Sequence, residues 1–67
     1  MEPTNETKRA IIESLIAQLE QSKFTNEVMG KTWQTIGNAD AAKKSVEAVT
    51  ENVKAIAELT RQLEAIV

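Results

Sequence analysis

Residues 39–67 read ADAAKKSVEAVTENVKAIAELTRQLEAIV, and this stretch decides the fold. It contains no Gly or Pro and is rich in Ala, Glu, Lys and Leu, which lose little conformational freedom in a helix. With Ala39 at heptad position a, the a and d places are Ala39, Ala42, Val46, Val49, Val53, Ile56, Thr60, Leu63 and Val67. Apolar spacing of this kind, kept up over about four heptads, marks a long helix lying lengthwise on a partner. Thr60 is the one polar member. Its hydroxyl is expected to bond back to the carbonyl one turn earlier, the alternative being a residue that sets register.

Immediately before this helix stand Gly37 and Asn38. Gly suits the left-handed position after a helix C-terminus, and Asn38 or Asp40 can cap the helix that follows. Upstream, Thr4 or Asn5 reads as an N-cap, with Glu6 in the first turn, where a carboxylate suits the helix dipole. Ile11, Ile12, Leu15, Ile16 and Leu19 then recur at the three-four spacing of an amphipathic helix. That stripe falters from Ser22 to Asn26. The spacing predicts a kink or break there, with Thr25 as a new N-cap and Phe24 and Met29 as a hydrophobic staple. The first arm would consist of helices over about 6–22 and 26–36; the competing reading is one helix from Glu6 to Ile36 with a polar patch in its middle.

The two arms flanking Gly37-Asn38 are nearly equal in length, and so short a connection favours antiparallel neighbours. The expectation is an all-α antiparallel helical hairpin with a long last helix over 39–67, a single domain over residues 1–67. Reflecting the chain about its turn sets Ile36 and Trp33 against Ala39 and Ala42, Met29 against Val46, Leu19 against Ile56, and Leu15 and Ile12 against Thr60 and Leu63. Large faces small near the turn, which close packing requires, and Trp33 is expected to fill that space.

Composition limits the function. A 67-residue chain buries a small share of its surface, and disulfides, metals or partner subunits usually make up the difference. With no Cys and no His, disulfides, thiolate sites and the commonest transition-metal ligand are excluded, and no Asp-rich calcium loop is present. No cofactor is expected. The net charge of −2 comes from ten acidic and eight basic residues that alternate without blocks, so no basic stripe tracks a phosphate backbone. Lys8-Arg9 and Lys43-Lys44 are the only adjacent basic pairs. Apolar runs stop at two or three residues, far from the ~20 that span a bilayer, and the default expectation is a cytoplasmic protein.

The candidates for function are therefore apolar. Leu59 and Ile66 fall at heptad position g, and Ile11 and Ile16 widen the first helix, so both helices carry more apolar surface than one seam needs. These four are expected to meet a second copy, a dimer in the simplest case, or a helical protein partner; otherwise a further segment of the same chain folds over them. Phe24 and Val28 lie off the main seam and are either staple residues or an exposed anchor. The carboxylates of the last helix read as solvated surface, with Lys43-Glu47 and Lys54-Glu58 at ion-pair spacing. Acid/base catalysis would need two carboxyls converging on a pocket, for which a hairpin has little interior, so an enzyme is not expected. The expected function is a small helical protein-protein interaction or assembly module, self-associating through the widened apolar stripe of its N- and C-terminal helices. The alternative is a nucleic-acid-associated regulator with a helix-turn-helix over Val28–Val46, whose second helix would open on Asn38, Asp40 and three alanines where base- and phosphate-contacting side chains should stand.

Overall fold

The computed structural model describes residues 2–66. Two helices, α1 (Asn5–Thr35) and α2 (Ala39–Glu64), lie side by side and antiparallel in a body of 51 × 16 × 14 Å. A 31-residue helix is about 46 Å long at 1.5 Å per residue, so the molecule is essentially one α1 length from end to end. Val67, the last member of the heptad series, lies outside the described residues.

Local chemistry accounts for the helix ends. The Thr4 side chain accepts from the Thr7 amide at 3.1 Å and Asn38 Oδ1 accepts from the Ala41 amide at 3.0 Å, each satisfying a donor that has no partner inside its helix. Between the helices Gly37 adopts φ 83°, its amide donates to the Gln34 carbonyl and the Asn38 amide to the Trp33 carbonyl. That pair of bonds is a Schellman closure, which turns the chain with no intervening loop.

The expected break between Ser22 and Asn26 is absent: α1 is continuous, as in the competing reading. Thr25 is not a cap, because its hydroxyl donates to the Gln21 carbonyl at 3.0 Å, a bond made inside an unbroken helix. The polar patch is accommodated by the partner helix instead. Asn26 Nδ2 donates to Asn52 Oδ1 at 2.9 Å across the seam, so the position that looked like a break is a paired polar contact.

The level of one helix against the other is the one the reflection predicts. Arg9 Nη2 donates to the Ile66 carbonyl at 2.6 Å near the open end, and a Cβ on Gly30 would lie 3.5 Å from that of Ser45 near the turn. The rotation of α2 differs from expectation. Its buried and half-buried residues are Ala41, Ala42, Ser45, Ala48, Val49, Asn52, Ala55, Ile56, Leu59, Thr60, Leu63 and Ile66, whereas Ala39, Val46 and Val53 are exposed. Ile36 and Leu15 are likewise exposed, and Trp33 is half-buried rather than enclosed. The hairpin seam thus centres on the d and g columns of the heptad and leaves Ala39, Val46 and Val53 of the a column outside. Thr60 is half-buried and donates to the Ile56 carbonyl at 2.8 Å, the back-bond expected of it.

Candidate interaction surface

The seam buries little. Among the described residues only Gly30 and Ala42 are buried, and no large side chain is fully enclosed. Of the six residues singled out from the sequence, Ile16, Leu59 and Ile66 are half-buried along the seam, while Ile11, Phe24 and Val28 are exposed. Leu59 and Ile66 therefore face α1 within the chain, alongside the half-buried Thr60. Phe24 and Val28, four residues apart, share the outer side of α1, where Phe24 is 67% exposed.

Val46 and Val53 are the residues the sequence placed inside and the structure places outside, at 61% and 48% exposure. The signal that could have found them is the width of the α2 stripe. Three adjacent heptad columns, Ala39-Val46-Val53, Ala42-Val49-Ile56-Leu63 and Ser45-Asn52-Leu59-Ile66, compete for one partner helix that covers two of them. The column left out borders a groove of about 560 Å³ floored by Gly30, Ala42 and Val49 and flanked by Glu27 of α1 and Val46 and Lys43 of α2.

Charge is arranged about this groove. Glu13, Glu20 and Glu27 are spaced by seven and so lie on one side of α1, the side on which Glu27 borders the groove. On α2, Asn52 faces the seam; Val53 stands 100° round and Lys54 a further 100°. Lys54 and Arg61, again seven apart, lie on the far side of α2 from the seam, in a column that also carries Asp40 and Glu47.

The ion pairs among the described residues are local to α2. Lys54 meets Glu51 at 3.6 Å and Arg61 meets Glu58 at 2.7 Å, in place of the expected Lys43-Glu47 and Lys54-Glu58 pairs. The Arg61 guanidinium forks onto both Glu58 oxygens and the Gln62 amide adds a third bond, which together hold the Glu58 carboxyl down to about 2 and push Arg61 up. Hydrogen bonding to the charged form is the cause. Glu13, Glu20 and Glu27 take no part in any of these bonds.

Among the described residues no group of three His, Cys, Asp or Glu is placed to hold a metal ion, and no helix is long and apolar enough to cross a membrane. The two helices run alongside each other for their whole length, whereas a helix-turn-helix joins its helices at roughly 90–120°. No family model, curated protein or solved structure matches the chain.

Proposed function

We propose that this chain is a helical assembly module whose working form is a self-associated pair of hairpins. The observation that carries it is the surface the hairpin leaves in water. It exposes 5155 Å², whereas a compact monomer of 7.4 kDa exposes about 4,200 Å². The excess of about 950 Å² is close to the ~800 Å² that each partner contributes to a standard stable interface. A second hairpin laid along the first supplies that area and gives the four-helix layout in which a/d-type positions become a common core. A repeated copy is favoured over an unrelated partner because the exposed residues form a column that runs along the helix, the pattern a like helix interdigitates with.

Sedimentation equilibrium of the intact chain from micromolar to millimolar concentration tests this. The expected result is a dimer mass at the upper end and a melting temperature that rises with concentration, since only the folded pair buries this column. A monomer mass throughout, with a melting temperature independent of concentration, overturns the proposal.

A further inference from the structure

Resting on that self-association, we infer that the second copy docks on the face that carries the groove, with the twofold axis running across the hairpin at the level of Val53, so that each helix lies antiparallel against its own counterpart. The order of charge along this face selects the axis. Lys31 of α1 and Lys43 of α2 line the groove near the hairpin turn. Glu13 stands two heptads before Glu27, which also lines the groove, and Glu64 stands three heptads after Lys43, so both lie on the same face toward the open end.

The two helices fix the same centre. Gly30 is level with Ser45 and Arg9 with Ile66, so counting along the helices in step puts Ser22 level with Val53. Ser22 is midway between Glu13 and Lys31, and the midpoint of Lys43 and Glu64 falls between Val53 and Lys54. Rotation about an axis across the hairpin at this level exchanges its ends and keeps its edges. Lys31 of one copy then meets Glu13 of the other, Lys43 meets Glu64, and Glu20 and Lys23, either side of Ser22, fall within one residue of each other across the axis. The other charges of the face, Glu6, Arg9 and Glu27, reflect onto Asn38, Thr35 and Ala17, so none lands on a like charge. An axis along the hairpin instead keeps every level and exchanges the edges. It would bring Lys43 beside Lys31 and Glu64 beside Glu13, like charge on like.

Shape agrees with charge. The rotation carries Ile16 and Thr60, both half-buried toward the open end, over the groove floored by Gly30 and Ala42, and sets the exposed Val53 against its own counterpart. Among the described residues the ion pairs within one copy are those of Lys54 with Glu51 and Arg61 with Glu58, which leaves the four end charges to pair between copies.

The chain has no cysteine, so introduced thiols report the axis directly. A disulfide needs Cα atoms about 4.4–6.8 Å apart. With the axis at Val53, Val53→Cys should oxidise to a self-linked dimer and Val46→Cys should not. Val46→Cys combined with Thr60→Cys should link, because these positions are about 21 Å apart in one helix but reflect onto each other between copies. A second arm uses charge: Lys31→Glu should raise the dimer dissociation constant roughly three- to tenfold, and adding Glu13→Lys to the same chain should restore it. The two side chains stand about 27 Å apart along α1, so the rescue can arise only between copies. Self-linking at Val53 and not at Val46, with charge-swap rescue, supports the proposal. A dimer in which Val53→Cys fails to link, Val46→Cys links alone, or the swap does not rescue overturns this face and axis while self-association stands; a monomer in sedimentation overturns both.

Discussion

Asn26 and Asn52 share a hydrogen bond of 2.9 Å at the centre of an otherwise largely apolar seam, and this one contact makes α1 continuous where its apolar stripe fails. A half-buried amide is tolerated because its partner is delivered by the opposite helix within one turn of its level. Removing one side leaves the other amide facing apolar neighbours. Asn52→Leu or Asn26→Leu alone should cost about 1–3 kcal/mol, while the double change to Leu should be near neutral in stability. Chemical denaturation at one fixed protein concentration reads all three variants. Equal costs for the singles and the double would mean that the amides do not act as a pair.

Gly30 gives the opposite forecast. It sits inside α1, where Gly is about 1 kcal/mol less favourable than Ala, and a Cβ there would stand 3.5 Å from Ser45 Cβ, an ordinary contact. Gly30→Ala should therefore stabilise the hairpin by about 0.5–1 kcal/mol. A lower denaturation midpoint would show that the helices need to approach more closely than an alanine allows.

At Gly37 the space is open but the backbone is not permissive: nothing lies within 4 Å of an added Cβ, yet φ is +83°. Gly37→Ala should lose about 1 kcal/mol or more through left-handed strain, and Gly37→Asn less. If the alanine variant melts with the parent, the turn has an alternative closure.

Ala42 is the one buried apolar side chain of the seam, 7% exposed, beside the half-buried Trp33 level. Ala42→Leu should overpack the turn end and cost about 1–3 kcal/mol. Tryptophan fluorescence gives an independent readout, since a displaced indole should shift toward the emission of free Trp.

Glu58 supplies the pH dependence. Its folded pKa lies near 2, against about 4.3 for an unrestrained Glu, so its contribution is present above the unfolded value and is lost as pH falls through the folded one. Carboxyl NMR titration should place the Glu58 midpoint well below the ordinary carboxylate range, and Arg61→Ala should return it to that range. A midpoint near 4.3 in the parent chain would mean that the Arg61 fork is open in solution.

The amino-acid sequence by itself determined the long last helix, the reversal at Gly37 and the level of one arm on the other, and narrowed the caps to Thr4 or Asn5 and Asn38 or Asp40, because these depend on neighbours within about four residues and on equal arm lengths. Two matters were left to tertiary structure. The polar patch at Lys23 and Asn26 looks like an interruption until Asn52 is brought opposite it. The rotation of α2 is undetermined while three columns carrying apolar residues compete; the choice falls to what stands across the seam, a glycine that admits Ser45 and an amide that takes Asn52. Ser45 and Asn52 then carry Leu59 and Ile66 inward with them, and Val46 and Val53 face water because a single partner helix has only one side to offer.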